Sequence, residues 1–253
     1  MPAAPIHSVL SRRAGLAVLG MLGLLAACSK PQVQTTEAYA GVAMRRPDHI
    51  LVAPFAVTPD EVRLDSGVVS RIQRSSSDVP LSAQQMRVAK AVQSDLADAM
   101  VDTLCSYGLP AERMAGPDHP LQGSTLLVEG QIISIDQGNR LRRTVIGLGS
   151  GKSSMSADMQ IYEATGAERP RFVTAFKGSD DSGRTPGLAE GMGVGAAGGH
   201  LLAASAVGTG MHVKEERKKA PSDSEAANLG KALAAQIGSF AASEGWIAPT
   251  AIQ

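Results

Sequence analysis

The residues whose chemistry is easiest to recognise stand near the N-terminus, where Leu25-Ala26-Ala27-Cys28 follows a short apolar run. Small side chains before a cysteine suit the active site of a signal peptidase, and the cysteine thiol can then receive lipid. The run contains no charged side chain and comes directly after Arg12 and Arg13. This order predicts a lipoprotein signal peptide over residues 1–27 and covalent lipid on Cys28.

The predicted lipid also indicates a location. The apolar run spans about fourteen residues, too few to cross the hydrocarbon core of a bilayer, which needs roughly twenty. Ser29 follows the cysteine, where resemblance to lipoproteins of the inner membrane would place an aspartate. We therefore expect a lipid-anchored protein of the cell envelope, at the periplasmic face of the outer membrane. An uncleaved membrane anchor with a chance cysteine is the alternative.

A second motif, Gly147 to Ser153 (GLGSGKS), is similar in composition to a phosphate-binding loop. That loop needs four residues between its first glycine and its Gly-Lys pair, and counting from Gly147 leaves one too few. The residues that follow alternate between apolar and polar, as in a strand, whereas phosphate binding uses the N-terminus of a helix. We therefore predict a glycine-rich β-turn here and no bound nucleotide.

No arrangement of a catalytic or metal-binding type is recognisable in the sequence. The histidines after residue 27 are widely spaced and lack cysteine or carboxylate neighbours at ligand spacing, so neither a metal nor another cofactor is expected. Asp180-Asp181 lies in a stretch rich in glycine and serine, which favours a solvated turn over an acid–base pair. An enzyme is therefore not expected, and an unrecognised hydrolase is an alternative. The histidines after residue 27 are His49, His119, His200 and His212.

Charge and cysteine content limit the partners. The chain has 24 basic and 24 acidic residues, and loss of the signal peptide would remove only Arg12 and Arg13. No basic excess would remain to attract nucleic acid. With lipid on Cys28, Cys105 would be the remaining thiol, so no internal disulfide could form. We expect Cys105 to be a half-buried residue of a helix.

A glycine-rich segment is the other unusual feature of the chain. Residues 191–213 contain no Asp, Glu, Lys or Arg, and small residues recur there at every fourth position. On a helix this spacing gives a smooth face that another backbone can approach closely. Three interpretations stay open: a segment that inserts into a membrane or packs between subunits, a helix or hairpin docked on its own domain, and a mobile loop. The recurring residues are Gly187, Gly191, Gly195, Gly199 and Ala203.

The remaining pattern predicts one domain between two short extensions. Residues 28–48 are polar and aperiodic after the cysteine and are predicted to form a flexible tether. Residues 49–246 form the predicted α/β domain, with a glycine-rich insertion at 183–221, and residues 247–253 form a C-terminal tail.

The predicted elements of the domain follow from hydrophobic periodicity. Ile50–Val57 is a continuous apolar strand, and a helix begins at Ser82 with Gln85 completing a capping box. A second helix begins near Ser222, with Glu225 in the same role, and ends before Gly245, so that Trp246 closes over the core. Between the helices we predict strands at 125–135, 141–148, 155–161 and 171–177. The fold class is α+β (mixed α/β), with two main helices on a sheet of about four to five strands, in the order strand-helix-strands-helix.

Two stretches resemble a known family. The glycine-rich turn at 145–153, with the alternating strand that ends in Tyr162-Glu163-Ala164-Thr165-Gly166, resembles bacterial lipoproteins grouped as domain of unknown function 4410. Glu163 stands where that family commonly has aspartate. The resemblance covers residues 48–245, and the order of elements is more loosely similar to periplasmic lipoproteins that include the curli-secretion channel and an activator of peptidoglycan synthases. It implies binding or assembly rather than catalysis.

Taken together, these observations predict a non-enzymatic binding or assembly module of the envelope. Its partners would be the membrane, through the lipid, and an envelope protein or further copies of the chain. The first alternative is a membrane-inserting or pore-associated subunit that uses residues 187–213. The second is an envelope hydrolase.

Overall fold

The structure is a computed structural model that describes residues 30–116, 119, 121, 123–146, 150–165, 169–183 and 221–252. The predicted signal peptide and Cys28 lie outside these residues. So does the glycine-rich segment, including Gly187, Gly191, Gly195, Gly199 and Ala203.

Seven strands form one mixed sheet within the described part of the chain, two more than the sequence predicted at most. Strands β5, β6 and β7 are long and antiparallel, whereas β2 runs parallel to both β4 and β5. The order across the sheet is β1-β7-β6-β5-β2-β4, with β3 beside the end of β5. The strands are β1 (Gln32–Glu37), β2 (His49–Val52), β3 (Val62–Arg63), β4 (Ala111–Arg113), β5 (Ser124–Asp136), β6 (Ser154–Thr165) and β7 (Arg171–Asp181).

Two long helices cover one face of the sheet, as predicted, and two short helices lie at one end of it. The long helices pack against each other, and at Gly230 a Cβ atom would lie 2.5 Å from the Leu96 carbonyl oxygen. Glycine therefore permits the close approach of the two helix backbones. The helices are α1 (Val68–Ser75), α2 (Leu81–Ser106), α3 (Arg140–Val145) and α4 (Pro221–Ser243), with 3-10 turns at Pro59–Glu61 and Pro249–Ile252.

The core lies between the long helices and the sheet. Alternate residues of β6 point into it, because successive side chains of a strand face opposite sides of the sheet. Trp246 closes the core as predicted, and its indole nitrogen donates to the Met44 carbonyl oxygen over 3.0 Å. Among the fully buried apolar residues are Met155, Ala157, Met159 and Ile161 of β6, Val92, Leu96 and Met100 of α2, and Leu229, Leu233 and Ile237 of α4.

The segment predicted as a tether is folded from residue 32 onward. Strand β1 pairs with β7 from Gln32 to Glu37, and Met44 is buried in the core. The Met44 amide donates to a carboxylate oxygen of Glu244 over 2.6 Å. Sequence reasoning missed this strand because its residues are polar and it lies at the sheet edge, where little apolar surface is buried. The predicted tail also packs, since Ile247 lies against the core.

Several local predictions were wrong. Residues 141–145, the first part of the predicted strand at 141–148, belong to helix α3, and the polar stretch after residue 57 contains β3 and α1. Strand β2 ends at Val52, before Pro54, rather than at Val57.

Neither predicted capping box forms. Helix α2 is preceded by Pro80, and the Gln85 amide donates to the Val62 carbonyl instead. Ser222 lies inside α4 rather than before it, and the Glu225 side chain turns inward, towards Ser153.

Candidate functional site

One end of the sheet gathers most of the unusual features, and we name it the α1–α3 end. Here β5 and β7 finish and β6 begins, so that α1, α3 and the first turn of α4 are neighbours. The Ser66 amide donates to the Gly138 carbonyl over 2.9 Å, just before α1 and α3 begin. Gly183 and Pro221, the described residues on either side of residues 184–220, both lie at this place.

Helix α1 is amphipathic in the direction opposite to that of an ordinary surface helix. Its apolar residues Val68, Val69 and Ile72 are 64%, 60% and 59% exposed. Two of its polar residues, Ser70 and Arg74, face the domain: the Ser70 hydroxyl donates to the Asp65 carboxylate, and the Arg74 guanidinium donates to the Asp65 carbonyl over 2.6 Å. A helix of a soluble domain normally buries its apolar stripe. The exposed stripe on α1 therefore has no partner within the described part of the chain.

Helix α3 adds a second group of exposed apolar residues at the same end. Leu141 and Val145 are one turn apart and 53% and 44% exposed, and Ile146 is 46% exposed. The helix is preceded by Asn139, whose side-chain oxygen accepts from the Arg142 amide over 3.0 Å and caps the first turn. Because the first turns of α1 and α3 are adjacent, their apolar residues lie at one end of the molecule.

Beneath this surface lies a cluster of buried polar side chains. The Ser153 hydroxyl donates to a carboxylate oxygen of Glu225 over 2.8 Å, and Ser153 is fully buried. Asp180, near the end of β7, is 4% exposed, as is Glu225. Arg143 of α3 is also buried, and its guanidinium donates to the Gly151 carbonyl over 2.9 Å. The cluster joins the end of β7, the turn before β6 and the first turn of α4.

Both buried carboxyl groups of this cluster hold protons more tightly than usual. Burial raises the pKa of Glu225 from its ordinary value of 4.5 to about 7, against the opposing effect of the Ser153 hydroxyl. Burial likewise raises the pKa of Asp180 from 3.8 to about 6, opposed by the side chain of Asn228. The two groups also interact, because the charge of Asp180 raises the pKa of Glu225 further. At neutral pH this pair titrates.

The chemistry open to this cluster is proton binding rather than attack on a substrate. A serine that donates to a glutamate has the arrangement of a nucleophile with its base. However, Ser153 is fully buried, and it lines neither the groove beside α1 nor the cavity between β1 and α4. A substrate would have no route to its hydroxyl through the described residues.

A groove of about 410 Å³ opens beside the cluster, between α1, the start of α2 and the start of α3. Three arginines and one aspartate supply its charged side chains. The Asp65 carboxylate is occupied by the start of α1, because its two oxygens accept from the Gly67 amide over 2.8 Å and the Ser70 hydroxyl over 3.0 Å. We name this cavity the arginine groove, after Arg74, Arg87 and Arg140.

Some of the predicted site residues lie outside the described part of the chain, and two others differ from the prediction. The lipidation motif Leu25-Ala26-Ala27-Cys28 and Gly147 to Gly149 lie outside the described residues. Asp180 is a buried strand residue, so the predicted solvated turn at 180–181 is wrong. Cys105 is exposed rather than half-buried.

The structure describes two of the histidines, His49 and His119, and brings neither into a cluster of metal ligands. His49 lies 3.2 Å from a carboxylate oxygen of Glu112. His200 and His212 lie outside the described residues. Among the described residues, no group of three or more His, Cys, Asp and Glu side chains is placed to hold a metal ion.

The buried acids were missed although two sequence signals pointed to them. Asp180 continues the inward parity of β7 beyond Phe176 and Gly178, two buried residues. Glu225 lies one helical turn before Leu229 and therefore on the buried stripe of α4. The assumption that acidic residues face solvent concealed both positions.

Comparison with known proteins identifies the family. Residues 50–199, more than half of the chain, match the family described as Domain of unknown function (DUF4410). The chain belongs to this family. The match confirms the resemblance but is shorter than the predicted 48–245, because it ends within the glycine-rich segment and excludes α4. In this DUF4410 protein, the matched residues include α1, α3, Ser153 and Asp180, whereas Glu225 lies beyond them.

Other comparisons add little. A solved structure of a PelC dodecamer carrying one substitution, from Paraburkholderia phytofirmans, is similar with a TM-score of 0.31 and 15% sequence identity. That similarity covers 62% of this chain and 86% of the PelC chain, and is too low to support an inference about function. No curated protein matches the sequence. None of the described helices combines the length and apolar character needed to span a bilayer.

Proposed function

We propose that this DUF4410 protein is a lipid-anchored outer-membrane protein, facing the periplasm, that binds a protein partner through the apolar residues of α1 and α3. The observation that carries the proposal is the outward-facing apolar stripe of Val68, Val69 and Ile72. Contiguous apolar surface on a soluble domain marks a site of interaction, because leaving it in water costs free energy. The partner is another envelope protein or a second copy of the chain, with an apolar surface of its own.

A protein partner is favoured over direct contact with lipid. Helices that lie in a membrane interface place tryptophan, phenylalanine and leucine on one face and basic residues on the other. The exposed apolar residues of α1 and α3 are valine, isoleucine and one leucine, and none is aromatic. Exposed arginines are present at Arg71 and Arg142, so the lack of aromatic residues is the observation that argues against a membrane interface. Helix α1 has 8 residues and is held to the domain through Asp65, so it presents a small rigid surface.

In-cell crosslinking tests the partner. A photoreactive amino acid is placed at Val69, Ile72 or Val145 of the full-length chain, one position at a time. The control position is Val42, which is 82% exposed and lies in the segment that adjoins the C-terminal end of α4. We expect irradiation to give adducts of higher mass from the α1 and α3 positions and none from Val42. Mass spectrometry of the adduct separates a different protein from a second copy.

Two results would overturn the proposal for the partner. One is the lack of any adduct at all three positions. The other is crosslinking confined to the same chain, which would mean that its own segments cover α1.

The proposed lipid anchor and outer-membrane location are tested separately with Cys28→Ala, which removes the thiol that would carry lipid. The motif Leu25-Ala26-Ala27-Cys28 supports the anchor, and the variant is expected to lose lipid labelling and leave the outer-membrane fraction. A variant that stays membrane-bound after a carbonate wash would contradict lipid anchoring. If deletion of residues 187–213 then released it, insertion of that segment would be the better account.

A further inference from the structure

We propose that the arginine groove binds a small hydrophilic anion: a phosphate or carboxylate group carried on a molecule of about the size of a sugar. The proposal is independent of the protein partner, because it uses the opposite side of α1. Residues Ser70, Gln73 and Arg74 face the groove, whereas Val69 and Ile72 point away from it.

The charge of the groove favours an anion. Three arginines and one aspartate line it, a formal excess of two positive charges. The Asp65 carboxylate already accepts hydrogen bonds from the Gly67 amide and the Ser70 hydroxyl, so it is not directed at the arginines. Arg74 donates to the Asp65 carbonyl oxygen, which holds its guanidinium in place without neutralising it. The positive charges of Arg74 and Arg87 are therefore available to a ligand.

Arg87 is the side chain best placed to contact such a ligand. It projects from α2 into the groove, and within the described part of the chain no hydrogen bond or ion pair engages its guanidinium. Gln73, across the groove on α1, is likewise exposed and unengaged among the described residues. A guanidinium binds phosphate and carboxylate groups through paired N–H donors, and an amide can add a bond to a neighbouring hydroxyl.

The size and polarity of the groove limit the ligand. A volume of about 410 Å³ falls within the range of small-molecule sites. Five serine and glutamine side chains share the lining with Leu64, Val79 and Val88, and no aromatic residue lines it. A molecule that presents both hydroxyl groups and C–H surface, such as a sugar, therefore fits better than a flat aromatic one.

Calorimetric titration of the full-length chain in neutral detergent tests the proposal. The probes are inorganic phosphate, glucose 6-phosphate, glucuronate and dihexanoyl phosphatidylglycerol, with dihexanoyl phosphatidylcholine as the match without net charge. We expect saturable binding of at least one anionic probe, weakened by about tenfold or more in Arg87→Gln because one charge-assisted hydrogen-bonding group is lost. Added salt should weaken binding to the wild-type chain.

Arg71→Gln is the matched control, since Arg71 is an exposed arginine of α1 that does not line the groove. It should bind as the wild-type chain does. Arg87 is exposed and makes no hydrogen bond or ion pair within the described part of the chain, so Arg87→Gln should unfold at the same temperature as the wild-type chain.

The pattern across the probes identifies the source of the anion. Binding of glucose 6-phosphate or glucuronate without binding of the phosphatidylglycerol indicates a soluble ligand. Arg87-dependent binding of the phosphatidylglycerol alone indicates a lipid headgroup. The proposal is overturned if no probe binds saturably, or if Arg87→Gln binds as tightly as the wild-type chain.

Discussion

The body of the domain and its α1–α3 end follow opposite rules of burial. Under α2 and α4, apolar side chains such as Leu233 are fully buried, and the polar residues of the strands face outward. At the α1–α3 end, Val69 and Ile72 are exposed, whereas Asp180 and Glu225 are buried. The burial pattern of the body therefore stabilises the folded state, whereas that of the α1–α3 end lowers the free energy of unfolding.

This contrast in burial supports the proposal that the binding surface lies at the α1–α3 end. Burying a carboxyl group and exposing a valine both oppose folding, and such costs persist in proteins where function requires them. In the body, the two long helices and one face of the sheet cover one another. The α1–α3 end is the part that a binding partner or ligand would complete. Three substitutions, ordered by expected effect, test this division.

The largest effect should come from the body. Leu233→Ala removes a fully buried side chain from α4 at the centre of the core. We expect a loss of about 2–5 kcal/mol in the free energy of unfolding, because the cavity is added to the lost hydrophobic transfer. Urea unfolding followed by the fluorescence of Trp246 measures it. A loss below about 1 kcal/mol would show that the core is not as tightly packed as its burial indicates.

A smaller, pH-dependent effect should come from the buried acids. With raised pKa values of about 7 and about 6, Glu225 and Asp180 retain protons in the folded chain that the unfolded chain has released. The free energy of unfolding contributed by these groups is therefore fully present at acid pH and is lost as the pH rises through 6 and 7. Glu225→Gln removes one titration and should flatten the profile between pH 4 and 8 by up to roughly 3 kcal/mol.

Unfolding measured across that pH range checks this sign. The matched control is Glu129→Gln, at an exposed glutamate of β5, which should leave the profile parallel to that of the wild-type chain. Parallel profiles for Glu225→Gln and the wild-type chain would mean that the carboxyl group of Glu225 is ordinary in the folded state.

The smallest effect on stability should come from the exposed stripe. Ile72→Ser changes a side chain that is 59% exposed, so the free energy of unfolding should change by no more than about 0.5 kcal/mol. The same variant should nevertheless lose most of the partner adduct formed by a photoreactive residue at Val69. A stable variant that retains full crosslinking would show that the apolar stripe is not the interface.

Sequence reasoning succeeded where a regular pattern matched a buried face. The stripe of α2 from Ala89 to Leu104 and the alternation of β6 both placed apolar residues at the period of their element, and the structure confirms both. It failed where that match was absent. Residues 141–148 are apolar enough for a strand, but α3 leaves Leu141 and Val145 exposed. Strand β1 contains few apolar residues, and it forms because its backbone pairs with the edge of β7.

The sequence by itself determined the long helices, the central hairpin and the family, because each depends on neighbouring residues, and the lipid anchor stays a prediction. Only the tertiary structure decided which side chains of distant segments meet. Ser153 and Glu225 are separated by the whole glycine-rich segment, yet they share a hydrogen bond. The arginine groove likewise combines residues of α1, α2 and α3. The exposure of the apolar side of α1 is likewise visible only in the structure, where Ser70 and Arg74 on the opposite side of the helix bond to Asp65.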